Sequence, residues 1–152
     1  MKTKIQTMCC FSFIKKKIII LFLVNITFLS CDVANNQTPY PAVFVNKIIN
    51  LNNIQYTTLR NDGGAVYETG GLKGLIIYRL NANNYLVFDR YCPFDRNASC
   101  SKIEIDDSLL YMIDRCCDSQ FTFEGVPIAG PAPQNLLRYS AVLTGSLLTI
   151  NN

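Results

Sequence analysis

Four cysteines in the second half of the chain are the residues best suited to chemistry. They are Cys92, Cys100, Cys116 and Cys117. Thiol groups form disulfides, bind zinc or iron–sulfur clusters, or exchange with other disulfides. The chain contains no histidine, so any site that combines thiolate with imidazole is excluded. Acid–base mechanisms also lose the side chain that most often carries them.

The first thirty residues have the composition of an export signal. A basic stretch ending at Lys17 precedes the apolar run from Ile18 to Leu29, which is shorter than a membrane-spanning helix requires. We therefore predict a signal peptide over residues 1–30. The alternative is an N-terminal anchor helix that stays attached.

The end of this segment resembles the lipobox of bacterial lipoproteins. In Phe-Leu-Ser-Cys, residues 28–31, a cysteine follows the apolar core and a small residue. The resemblance implies cleavage before Cys31, lipid attachment to Cys31 and an anchor in the cell envelope, facing the periplasm or the cell surface. The alternative is an ordinary signal peptide with an unrelated cysteine nearby.

Removal of this leader changes both the charge and the cysteine count. Five of the fourteen Lys and Arg residues lie in the leader, so nine remain against eleven Asp and Glu, a net charge of about −2. That balance argues against a nucleic-acid partner. Two of the seven cysteines also leave with the leader, and Cys31 would carry the lipid. The four that remain in an exported domain favour two disulfides.

The rest of the chain predicts a short tether followed by one β domain. Residues 31–42 are polar and rich in turn-forming residues, as expected of a lipidated tether. Residues 43–152 contain short segments rich in β-branched and aromatic residues, separated by turns, and lack a convincing helical period. We predict an all-β sandwich or barrel.

Three hairpins and several further strand segments are predicted within this domain, among them a short strand that begins at residue 65 and ends in a glycine-rich loop, and one at Ile103 and Ile105. The hairpins turn at residues 81–84, at Glu124-Gly125 and at Thr144-Gly145. Residues 43–59 are predicted as β structure, and so is the run from Leu109 to Ile113.

The order of motifs from Gly70 to Ile150 resembles the Rieske iron–sulfur domain. The similar segments are Cys-Pro-Phe-Asp at 92–95, Asp-Arg-Cys-Cys-Asp-Ser-Gln-Phe at 114–121, the hairpin at 121–130 and Gly-Pro-Ala-Pro at 130–133. The resemblance implies a Rieske-like antiparallel β-sandwich or barrel with an apical two-loop subdomain. It also implies that Ser119, Gly130 and Pro131 belong to the apical loops, with Ser119 as a turn hydroxyl.

The ligand positions of that family are only partly kept. The first cysteine position falls on Cys92, and the first histidine position falls on Phe94. The second cysteine position falls on Asp114, the second histidine position on Cys117, and the non-ligand cysteine on Cys116. The chain also resembles a group of bacterial lipoproteins that share this frame with cysteines in place of the histidines. The resemblance therefore implies a Rieske-like domain without its cluster.

Two disulfides are the first interpretation of the four cysteines. In respiratory Rieske proteins a disulfide joins the two apical loops through the position that matches Cys116. Neighbouring cysteines pair with each other only under strain, so each should reach the other loop. The pairings Cys92–Cys117 with Cys100–Cys116, and Cys92–Cys116 with Cys100–Cys117, both remain open.

Two other interpretations of these thiols belong to different classes of protein. Four thiolates could hold zinc or a [2Fe–2S] cluster in an electron carrier. The leader has no arginine, however, and therefore suggests export of an unfolded chain without a preassembled cluster. A thiol–disulfide redox protein is the second alternative, but the chain lacks a Cys-x-x-Cys motif at the start of a helix.

The remaining polar and aromatic clusters are predicted to be structural. Solvated loop charge is the expected role of Asp106, Asp107, Asp114 and Asp118. Core or edge packing is expected of Tyr78, Tyr85, Phe88 and Tyr91. Phe94 is predicted to be an exposed contact for a partner.

The expected function is therefore non-enzymatic. We predict a structural or binding lipoprotein of the envelope with no resident cofactor. The membrane is reached through the lipid, an envelope protein is the expected partner, and the sequence indicates no small-molecule substrate.

Overall fold

Residues 39–152 form a β domain of two antiparallel sheets in the computed structural model, which describes those residues. The leader, Cys31 and most of the predicted tether lie outside the described residues. The larger sheet has the strand order β1-β10-β9-β4-β3-β2, and the smaller one has the order β5-β6-β7-β8. The strands are β1 Asn46–Asn50, β2 Ala65–Glu68, β3 Leu75–Asn81, β4 Asn84–Asp89, β5 Ile103–Ile105, β6 Met112–Asp114, β7 Ser119–Phe121, β8 Pro127–Ala129, β9 Arg138–Thr144 and β10 Leu147–Asn151.

The hairpin β3–β4 is buried on both faces because it lies between two hydrophobic clusters. Ile77 and Val87 are register partners that pack in the core of the larger sheet. Ile76 and Phe88 are the next pair, and they face the cluster formed with the smaller sheet. Burial on both faces explains why these two strands are nearly continuous apolar runs.

The all-β prediction is confirmed, as are the predicted hairpins. The first turn falls between β3 and β4, and Gly125 lies in the turn between β7 and β8 with a φ of +82°. The last turn is shifted by one residue. Thr144 pairs with Leu147, so the turn residues are Gly145 and Ser146.

Two strand predictions are wrong. Residues Ile54–Arg60 form a 3₁₀ helix, in which Tyr56 and Leu59 are the buried residues. Tyr56 and Leu59 are three residues apart, which is the period of a 3₁₀ helix. The β-branched residues of this segment indicate a strand instead, which is why the sequence misleads here. The second error concerns Leu109, which adopts a φ of 59° in a turn, so β6 begins only at Met112.

A buried carboxylate fixes the segment that leads into the first apical loop. Asp89 ends β4, is fully buried, and accepts hydrogen bonds from the backbone N–H groups of Leu72, Lys73 and Tyr91. The hydroxyl of Tyr139 on β9 also donates to it, over 2.8 Å. Burial, together with this carboxylate, raises the pKa of Tyr139. These four donors offset the cost of burying the charge.

Two cations then fasten the apical loop to the sheets. Lys73 Nζ donates to the backbone carbonyls of Ala98 and Ser101. Arg90 Nε donates to the carbonyl of Ile103, and the guanidinium stacks 4.0 Å from the ring centroid of Tyr67. The loop that carries Cys92 is thus held at both of its ends. Within residues 39–152, no helix combines the length and apolar character needed to cross a bilayer.

Candidate functional site at the apex

Three segments meet at one end of the domain, which we call the apex: residues 92–100, 116–121 and 130–133. A disulfide between Cys100 and Cys116 joins the first two segments. The prediction of a disulfide between these loops is confirmed. The bond belongs to the first of the two pairings that the sequence left open, and the reverse pairing is not formed.

Cys92 and Cys117 carry free thiols that lie side by side. Their sulfur atoms are 3.8 Å apart. Cys92 is fully buried, whereas Cys117 is half-buried. The second predicted disulfide would join these two sulfurs, and it stays a prediction.

Asp114 is not a solvated loop residue, so that part of the prediction is wrong. It ends β6 and is fully buried. Ser101 Oγ donates to Asp114 Oδ2 over 2.7 Å, and the backbone N–H of Cys116 donates to Asp114 Oδ1 over 2.8 Å. These two donors make burial of the carboxylate possible. By contrast, Asp107 and Asp118 are exposed, as expected.

Asp114 also completes a cluster with the two free thiols. Among the described residues, Cys92, Asp114 and Cys117 form a group in which the possible ligand atoms all lie within 4.8 Å of one another. Burial raises the pKa of Cys92 to about 12, and the Asp114 carboxylate also raises it. The Cys92 thiol is therefore protonated at neutral pH.

Ser119 does more than complete a turn. It is fully buried, and its Oγ accepts a hydrogen bond from the backbone N–H of Ala132 over 3.1 Å. The same Oγ lies 3.1 Å from Cys117 Sγ. Ser119 thus links the thiol pair to residues 130–133. Gly130, with a φ of +83°, lies directly against the Ser119 backbone, where a Cβ would be 2.5 Å from Ser119 Cα.

The aromatic residues divide as predicted. Tyr85, Phe88 and Tyr91 are buried. Tyr78 stacks on Phe123 with ring centroids 4.3 Å apart. Phe94 is the exception, since half of its side chain is exposed.

No protein-family model matches this chain, and no curated protein matches it at a significant level. Solved structures do match. The plasma membrane Rieske protein PetC3 from the cyanobacterium Synechocystis PCC 6803 has a TM-score of 0.49 at 13% identity, over 58% of this chain and 86% of that chain. The described domain is similar in structure to this Rieske protein.

Two further structures show a similar degree of likeness. The ferredoxin of carbazole 1,9a-dioxygenase from Nocardioides aromaticivorans IC177 has a TM-score of 0.45 at 13% identity, over 72% of this chain and 97% of that one. The Escherichia coli protein NirD has a TM-score of 0.44 at 13% identity, over 71% and 98%. At these identities the likeness concerns the fold alone.

The donor set at the apex does not fit a Rieske cluster. A Rieske centre takes two cysteines on one iron and two histidines on the other. Here the four matching positions hold Cys92, Phe94, Asp114 and Cys117, so one position has no donor at all. The carboxylate at the third position already accepts two hydrogen bonds. No chemistry is therefore assigned to a Rieske cluster in this chain.

Proposed function

We propose that this protein is an exported, lipid-anchored lipoprotein of the cell envelope, with a structural or binding role and no electron-transfer chemistry. Its apex is fastened by sulfur–sulfur bonds in place of a metal cluster. The lipobox-like residues 28–31 support the anchor, and one observation carries the proposal for the apex: the sulfurs of Cys92 and Cys117 lie 3.8 Å apart at two positions that match cluster ligands. They lie beside loops that Cys100–Cys116 already joins.

Oxidation of the thiol pair would add a second bond between the same two loops. A disulfide needs the two sulfurs to approach to about 2.05 Å, which is a shift of less than about 2 Å from their present separation. Cys92 and Cys117 are 25 residues apart in the chain. Closing a loop of that length contributes on the order of 3 kcal/mol. An oxidising envelope compartment favours this bond.

A single metal ion at the thiol pair is the second candidate. The four-thiolate site considered from the sequence would require Cys100 and Cys116, which are bonded to each other in the structure. Cys92, Cys117 and Asp114 provide two sulfurs and a carboxylate instead. That donor set suits a thiophilic ion such as zinc, with water as the fourth ligand.

One sample separates these candidates. The full chain is expressed in an export-competent bacterial host and purified aerobically from membranes. Intact mass, free-thiol count and metal content are then measured. We expect the mass of a lipid on Cys31, no free thiol and no metal.

Other results would replace the proposal. Stoichiometric zinc with two free thiols would establish the metal site. Iron together with inorganic sulfide would make the protein an electron carrier. A soluble chain without lipid would remove the anchor from the proposal, whatever the state of the thiols.

A further inference from the structure

The segment that precedes β1 contacts the apex. Arg96, in the first apical loop, donates from Nη1 to the carbonyl of Pro39 over 3.2 Å. Its guanidinium carbon also lies 5.6 Å from the centroid of the Tyr40 ring. The residues at which the described chain begins are therefore held against the loop that carries Phe94.

Two further contacts hold Tyr40 in place. Its hydroxyl donates to the carbonyl of Asn135, just beyond residues 130–133. Its ring meets the ring of Tyr91 edge-on, with centroids 6.1 Å apart. Tyr40 thus bridges the segments that flank the apex. A chain coming from a lipid anchor would reach the domain at this end.

The opposite end of the domain lies about one strand length away. β4 ends at the apex, and β9 runs antiparallel to it, starting at Arg138 beside Phe88. β9 then runs away from the apex to the turn at Gly145 and Ser146. Its seven residues span roughly 20 Å.

The length of the tether favours the apex over this far end as the side that faces the membrane. Eight residue steps separate Cys31 from Pro39. Fully extended, they span roughly 28 Å. A flexible chain of that length spans only roughly 16 Å on average, which is less than the roughly 20 Å that separate the apex from the far end.

The apex also presents the kind of surface that fits a bilayer interface. Half of the Phe94 side chain is exposed, and Pro131 and Pro133 are exposed in another segment of the same apex. We propose that the apex rests on the lipid surface, with Phe94 at the boundary between headgroups and acyl chains. This orientation rests on the lipid anchor at Cys31 that the proposed function includes.

Tryptophan fluorescence can test this orientation, because the chain contains no tryptophan. Phe94→Trp places a single probe at the apex. Leu147→Trp is the matched control, since Leu147 is 44% exposed and Phe94 50%, and Leu147 lies at the far turn. Each full-length variant is purified from membranes, its lipid is verified by mass, and it is reconstituted into phosphatidylcholine vesicles with brominated acyl chains.

We expect bromine to quench the probe at position 94 at least about twofold more than the probe at position 147. Adding Tyr40→Ala to the Phe94→Trp variant should remove most of that difference, because it releases the pinned segment. Equal quenching at the two positions in verified lipidated protein would overturn the orientation and leave the anchor standing. If the mass shows no lipid, the proposed anchor fails, and the orientation fails with it.

Discussion

Burial of one thiol and partial exposure of its neighbour should give the two free cysteines different reactivities. Burial raises the pKa of Cys92 to about 12, whereas Cys117 is half-buried. In protein with Cys100–Cys116 intact and the thiol pair reduced, iodoacetamide should modify Cys117 first at pH 7. Labelling of Cys92 should accelerate by about tenfold per pH unit, because only the thiolate reacts. Peptide mass spectrometry over time measures both rates.

The same pKa shift predicts how the stability of the reduced protein depends on pH. The pKa of Cys92 is higher in the folded state than its ordinary value of 9.0. Its contribution to folding stability is therefore fully present below pH 9 and is lost as pH rises toward 12. A Cys92→Ala variant should lose less stability over that interval. Equal labelling of Cys92 and Cys117 at pH 7 would contradict the burial on which both expectations depend.

The candidate site shows which residue roles a sequence can and cannot reveal. The resemblance placed Cys116 in a disulfide, because a motif marks that position. Asp114 was misassigned, because its burial depends on a hydroxyl thirteen residues earlier, on Ser101. Ser119 was underestimated for the same reason, since its partner Ala132 lies in a different loop. The residues adjacent to Asp114 and Ser119 in sequence do not include these hydrogen-bond donors, so the sequence pattern around each residue does not reveal its role.

We expect the apical loop to require Gly130, because a side chain there would clash with neighbouring backbone. Gly145 is the matched control, since it shares the positive φ but not the close contact. Gly130 and Gly145 both have a positive φ, at +83° and +61°. An added Cβ meets the Ser119 backbone at Gly130 and nothing within 4 Å at Gly145. Gly145→Ala should cost about 1 kcal/mol from backbone strain alone. Gly130→Ala should cost about 2 kcal/mol more.

Urea unfolding of both variants measures this difference. A similar cost at the two positions would mean that residues 130–133 move aside without penalty. In that case the hydrogen bond between Ala132 and Ser119 would contribute little to the apex.

The disulfide should stabilise the pairing of β6 with its neighbours. Cys100 and Cys116 are 16 residues apart, and closing a loop of that length contributes about 3 kcal/mol. The double variant Cys100→Ser/Cys116→Ser should lose about that much stability in urea. Replacing both residues avoids a lone thiol that could exchange with Cys117. An unchanged midpoint would show that the hydrophobic cluster beneath the apex holds the loops without the bond.

Hairpins were the elements most fully predictable from the sequence. Their turn residues and alternating apolar runs are local signals, as in the pair β3 and β4. The 3₁₀ helix at Ile54–Arg60 was missed, since it is fixed by contacts that come from elsewhere. Tyr56 donates to Glu68 on β2, and Lys47 on β1 forms an ion pair with the same carboxylate. Only the folded sheet brings these groups to the helix.

At the scale of the whole molecule, one substitution tests the proposed lipid anchor. Cys31→Ser removes the thiol to which lipid would be attached. We expect the variant to retain the leader and to lack the lipid in its intact mass, because both lipid attachment and cleavage before residue 31 depend on the thiol. Cys117→Ser is the control and should carry the lipid and lack the leader. If Cys31→Ser has the same processed mass as the control apart from the substitutions, Cys31 is not the site of lipid attachment.

The order in which the strands pair also determines when the domain can fold. β1 forms hydrogen bonds only with β10 in the larger sheet, and Val45 N donates to Asn152 Oδ1 across 107 residues. The larger sheet therefore cannot be completed until β10 has left the ribosome. Pairing over such a distance is slow as well as late. The larger sheet stays incomplete until then, which would suit the passage of an unfolded polypeptide through the export channel that the proposed function implies.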